Sequence, residues 1–182
     1  IVGFIFERRR KNFSMKKTLI IISAFTFLSS FVFAQDLIKG LPITISLVPK
    51  SVKQPNLKLK DGSGIILKYD ANDGIHVIMA KNGKQTDLCD PFANSKMVQV
   101  GEVDIEKDGK PEIVVASQTS STTIQVLIYK KAEFEVNYQP WSHFSGVAAV
   151  EFPGDGTVEI YDETGNYSTY RFSDDGKLTE KN

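Results

Sequence analysis

The chain is poor in the residues that most often carry chemistry. Its 182 residues include one cysteine, one tryptophan and two histidines. A lone cysteine, Cys89, cannot form an internal disulfide, so packing and hydrogen bonds must hold the fold, and Cys89 is expected to be a buried, inert thiol. The sequence has no G-x-S-x-G elbow, no H-E-x-x-H pair and no P-loop, which removes support for serine-hydrolase, zinc-protease and nucleotide-dependent mechanisms. Beyond the first 34 residues no stretch is continuously apolar, whereas a membrane-spanning helix needs roughly 20 such residues. Helical periodicity is almost absent from that part of the chain as well.

The one long apolar run stands in "MKKTLIIISAFTFLSSFVFAQ", where Lys16 and Lys17 precede it and Val32 and Ala34 supply a small-residue exit. This is the order of a secretory signal peptide, and cleavage is expected after Ala34. The residue after the expected cleavage is Gln35 rather than a cysteine, so a bacterial lipoprotein anchor is not expected. Residues 1–14 precede Met15 and are read as an upstream segment outside the native start, residues 15–34 as the signal peptide, and residues 35–182 as a single domain. The mature chain is expected to be soluble and exported, in a periplasm or outside the cell.

Charge points the same way for partners. The whole chain balances 22 basic against 22 acidic side chains, but six of the basic ones and one acidic one precede Gln35. What remains is 16 basic and 21 acidic, a net of −5. An acidic surface repels phosphate backbones and anionic lipid, which argues against nucleic acid and membrane surfaces and for a cationic partner.

Short β-branched and aromatic runs, broken by Gly, Asp and Asn, recur from Ile43 onward and predict an all-β, antiparallel fold of about ten short strands. The expected strands are Ile43–Val48, Ile65–Asp70, Ile75–Ala80, Met97–Ile105, Glu112–Ala116, Thr122–Lys130, Phe134–Asn137, Val147–Phe152, Val158–Asp162 and Tyr167–Phe172. A small or incomplete β-propeller, a sandwich and a barrel all accommodate them. The run from Thr122 to Lys130 is apolar on both faces and reads as a central strand, while "YSTYRFSDD" reads as an edge or outer one. Lys130 to Glu133 are expected at a hairpin bend. "VDIEKDGKPEIVV" (103–115) aligns with "VEFPGDGTVEIYD" (150–162) at a separation of 47 residues. "LKYDANDGIHVIM", with Asp73-Gly74, reads as a fainter third copy.

Within the first copy, Asp104, Glu106 and Asp108 alternate, Gly109 allows a sharp reversal, and Glu112 follows. Several oxygen ligands converging on a hard cation need such an arrangement, so these four acids are the candidate calcium ligands; a plain hairpin turn with hydrated carboxylates is the alternative. Around residues 97–130 the loop "D-x-[DN]-x-D-G-x-x-[DE]" between apolar strands resembles FG-GAP and VCBS-type extracellular repeats. That resemblance implies calcium binding and β-propeller modules, and small periplasmic lysozyme inhibitors are among its members. Here Glu106 and Lys107 stand where those repeats commonly have Asp or Asn and Gly. The second copy offers only Glu151, Asp155 and Glu159.

A Pro- and Gly-bounded stretch, "QPWSHFSG", presents Trp141, His143 and Phe144 as a candidate partner-contact loop, with core packing of Trp141 as the alternative. His76 is expected in a strand, facing outward or filling a satisfied niche. These features predict a non-enzymatic, calcium-stabilised binding module that acts by protein contact, and the resemblance together with the acidic charge implies an inhibitor of a cationic, lysozyme-like cell-wall hydrolase. A carbohydrate-binding or envelope protein using Trp141, Tyr161, Tyr167 and Tyr170, and a small hydrolase with an unrecognised site, stand as alternatives.

Overall fold

Short runs of β-branched residues broken by tight turns become strands, and within each of three successive groups of four every strand pairs with the next. The computed structural model describes residues 36–131 and 138–181. Two short strands come first, β1 (Ile38–Lys39) and β2 (Thr44–Leu47). Three four-stranded antiparallel meanders then follow in order. The first is β3 (Asn56–Lys58), β4 (Gly64–Asp70), β5 (Gly74–Lys81) and β6 (Lys84–Asp87). The second is β7 (Val98–Val103), β8 (Glu112–Gln118), β9 (Ile124–Lys131) and β10 (Tyr138–Val147). The third is β11 (Ala149–Glu151), β12 (Thr157–Tyr161), β13 (Tyr167–Phe172) and β14 (Leu178–Glu180). β2 extends the second meander antiparallel to β7, and β1 extends the third as the one parallel pair, beside β11.

The all-β, antiparallel expectation holds, and no sheet closes on itself among the described residues. The strands beyond the expected ten are mostly polar pieces of two to four residues, such as β6 "KQTD", which carry no hydrophobic alternation. The expected Met97–Ile105 strand ends at Val103, and Val147–Phe152 divides between β10 and β11. Phe134–Asn137 lies outside the described residues. Lys130 and Lys131, expected at a bend, still belong to β9.

The second meander is the middle layer. On one face Val114, Ala116, Val126 and Ile128 pack with Val150, Phe152 and Val158 of the third meander. On the other, Val98, Val100, Ile113, Val115 and Tyr129 pack with Ile65, Leu67, Ile75 and Val77 of the first. β9 is covered on both sides, as its doubly apolar sequence predicts. β1 docks through Gln99, buried on β7, whose Oε1 accepts the backbone N–H groups of Leu37 and Ile38 at 2.7 and 3.0 Å.

One turn recurs between the first and second strands of every meander. Asp61, Asp108 and Asp155 each accept the backbone N–H two residues on, at 3.0, 2.8 and 3.0 Å. Each is followed by a glycine at positive φ: Gly62 at 83°, Gly109 at 82° and Gly156 at 83°. The spacing is 47 residues both times. This corrects the third copy, because Asp73-Gly74 lies in the turn between second and third strands, and the topological counterpart of Asp108-Gly109 is Asp61-Gly62. Buried Leu59, Ile105 and Phe152 precede the three turns. The first turn is one residue shorter, and the extra residue of the others, Lys107 and Gly154, also takes positive φ, at 61° and 88°.

Candidate functional site

Ile105 is drawn into the core at the root of the acidic loop, and that sets how the carboxylates around it are used. Glu112, the first residue of β8, is fully buried, and its Oε2 accepts the Ile105 N–H at 2.8 Å. Burial pushes its carboxyl up to about 7. Asp104 caps the turn from the other side, accepting the Gly109 N–H at 3.1 Å. Asp108 is exposed and accepts from Lys110, and Glu106 pairs with the ammonium of Lys130. Three of the four candidate ligands thus serve backbone N–H groups and the fourth a lysine. Among the described residues no three His, Cys, Asp or Glu side chains converge as a metal would require. Two buried oxygens in this loop nevertheless lack a donor, Asp104 Oδ1 and Glu112 Oε1.

Lys130 also ties this loop to the aromatic candidates. Its Nζ lies 5.2 Å from the centre of the Trp141 ring, so Glu106, Lys130 and Trp141 form one row. Trp141 stacks against Phe172 at 4.9 Å and donates from Nε1 to the Asp174 carbonyl at 3.1 Å, a half-buried position on the seam with the third meander. Gly176 permits that approach, since a Cβ there would sit 2.0 Å from the Trp141 carbonyl oxygen. Trp141, His143 and Phe144 belong to a strand rather than a loop; β10 is an edge strand with register shifts between Pro140 and Ser142 and between Ser145 and Val147. Phe144 pairs with Val126 and packs with Trp141 on one core, whereas His143 pairs with Leu127 and is exposed on the opposite face. The three do not share a surface.

His76 on β5 lies between two aspartates, with Nε2 3.0 Å from Asp73 and Nδ1 3.1 Å from Asp87. The hydrogen bond to Asp73 raises its pKa, burial opposes the rise, and Asp87 adds to it. Cys89 is half-buried against the core shared with the first meander, and burial pushes its thiol up to about 11, as an inert thiol requires.

Glu151, Glu159, Tyr161 and Tyr167, named separately in the sequence reading, are joined by strand pairing on the outer face of the third meander. Val150, Val158, Ile160 and Tyr170 face the core, so by alternation Glu151, Glu159, Tyr161 and Tyr167 face outward. Glu151 and Glu159 are direct cross-strand partners, and the Tyr161 hydroxyl donates toward both, at 2.9 and 3.0 Å. Charge segregates here too. Residues 149–182 hold eight acidic and three basic side chains, while residues 35–148 hold thirteen of each, so the net −5 of residues 35–182 lies wholly in the last 34 residues. Tyr170, one of the carbohydrate candidates, is turned to the core with Trp141, while Tyr161 and Tyr167 remain outside. Comparison with family models, with characterised proteins and with solved structures finds no match for the chain.

Proposed function

We propose that this chain is an exported, non-enzymatic binding module whose third meander contacts a positively charged protein, in the manner of an inhibitor of a cationic cell-wall hydrolase such as a lysozyme. One observation carries the reading: all the excess negative charge of residues 35–182 is confined to residues 149–182. Charge gathered in one layer steers an oppositely charged partner and fixes its orientation, which an evenly spread charge does not. The leader sequence supports a periplasmic or extracellular destination, where such enzymes act. The test is binding of purified lysozyme by the mature protein across a salt series, together with the residual rate of cell-wall lysis. Binding that weakens steeply with salt and slows lysis is the expected result; no binding at 20 mM salt would reject the hydrolase as partner.

A second reading, that the acidic loop takes up calcium, is favoured by the two orphaned oxygens. Asp104 and Glu112 would hold the ion, and the bound charge would neutralise a buried carboxylate whose second oxygen otherwise lacks a donor. Glu106 is unsuited because Lys130 already neutralises it. Melting the protein with and without calcium, alongside Asp104→Asn, tests this; a melting temperature insensitive to calcium in the unsubstituted protein would exclude it.

A further inference from the structure

On the outer face of the third meander, two carboxylates stand about 5 Å apart at the backbone on neighbouring strands, where like charges destabilise one another. A single phenolic proton, that of Tyr161, lies between them. One O–H cannot fully satisfy two carboxylates, so the pair keeps acceptor capacity directed outward. Beside it the chain supplies its own example of what binds there: β1 aligns Lys39 with Glu151, and its Nζ sits 4.6 Å from the centre of the Tyr161 ring. Tyr167, the cross-strand partner of Tyr161, stacks against it at 5.3 Å and is 57% exposed, so a second aromatic face lies next to the same carboxylates.

We infer that this face is a docking surface for arginine or lysine side chains of a cationic protein, with Tyr167 as the aromatic seat and Glu151 and Glu159 as the charge partners. The inference rests on the proposed binding role and names the place and chemistry of the contact. Arginine suits the surface best, because its planar guanidinium stacks on a ring while its N–H groups reach a carboxylate at the ring's edge. Arg171, also on this face, limits how many cations can sit together and favours a single side chain near Tyr167.

A hexa-arginine peptide is the probe, titrated into the purified protein at low salt and followed by calorimetry. Glu151→Gln/Glu159→Gln and Tyr167→Leu are each expected to weaken binding by about tenfold or more. Glu163→Gln/Glu180→Gln removes the same number of charges from the same meander away from this face and should cost less than about threefold. Equal losses in the two double variants would show that net charge acts and the face does not, and absence of peptide binding would overturn the surface outright. Lysozyme separates the two ideas. Peptide binding at this face without lysozyme binding rejects the hydrolase and keeps the surface, whereas lysozyme binding unaffected by Glu151→Gln/Glu159→Gln does the reverse.

Discussion

Glu112 and Glu159 occupy matching places in two similar sequences, three residues past an Asp-Gly turn, yet one is fully buried and the other faces solvent. The cause is register. In the second meander Val103 pairs with Glu112, whereas in the third Val150 pairs with Ile160 and Glu151 with Glu159. This one-residue slip sends every side chain of the second strand to the opposite face. In the middle layer both faces are covered, so Ile113 turns toward the first meander and Glu112 inward toward the third. Among the described residues the third meander is covered on one side only, and Glu151 and Glu159 both go outward. Shared motif chemistry therefore fixes the turn, and the neighbouring layer decides what the carboxylates can do.

The largest test of that contrast is truncation at the two positions. Glu112→Ala leaves the Ile105 N–H without an acceptor inside the core and opens a cavity, at a cost of about 3–4 kcal/mol in urea unfolding. Glu159→Ala should stay within about 0.5 kcal/mol, as surface changes do. Similar costs at the two sites would break the comparison. Gln99→Leu sharpens it next, because among the described residues Gln99 is the other buried polar side chain on this face of the middle layer. The buried N–H groups of Leu37 and Ile38, at the start of β1, would lose their acceptor, an expected loss of about 2–3 kcal/mol. An unchanged unfolding midpoint would mean that β1 contributes nothing to stability.

Smaller effects belong to the turns themselves. Lys107 takes a conformation that glycine adopts freely, and Gly154 holds the matching place in the third meander. Lys107→Gly is therefore expected to be neutral or to gain up to about 0.5 kcal/mol, and Gly154→Lys to lose about 1 kcal/mol, by thermal melting. Opposite signs would show that the two loops differ in backbone as well as in register.

Much of this architecture was readable from residue patterns, because Asp-Gly turns and doubly apolar runs such as Thr122–Lys130 express local rules that the packed structure obeys. What stayed hidden depends on pairing between distant segments. β10 carries Pro140, Ser145 and Gly146, which read as loop signals, and it is a strand because β9 offers it a long edge with room for two bulges. The 47-residue spacing marks the third turn at Asp61-Gly62, but one missing residue disguises it, and Asp73-Gly74 between two apolar runs is the more conspicuous match. The acidic loop was found by its spacing, yet spacing cannot reveal that Lys130 neutralises Glu106 or that Glu112 turns inward. Glu151, Glu159 and Tyr161 meet only through strand register, which a linear reading does not contain.

The two outer layers offer the finest comparison, for each sets one donor between two carboxylates: His76 between Asp73 and Asp87, and Tyr161 between Glu151 and Glu159. A neutral imidazole has a single N–H, so only the imidazolium donates to both aspartates. Lys68, the cross-strand neighbour of His76, opposes that charge, while Asp70 supports it, the Asn72 N–H holding the Asp70 carboxyl below its usual range. The balance raises His76 above its ordinary 6.5. Its folded-state pKa is the higher one, so its stabilisation is complete below pH 6.5 and disappears as pH rises through the folded value. Because the aspartates are about half exposed, the contribution should stay under about 1 kcal/mol and shrink with salt. Hydrogen bonding to Glu151 and Glu159 moves the Tyr161 hydroxyl upward, away from neutrality, so its own ionisation adds no such dependence between pH 6 and 8. Melting curves over that range should therefore show a decline to which Glu112, raised to about 7 by burial, also contributes; His76→Gln is expected to reduce it and Tyr161→Phe to leave it in place. If the unsubstituted protein and His76→Gln decline in parallel, the bridge carries no charge at neutral pH, and the two outer layers are electrostatically alike in this respect.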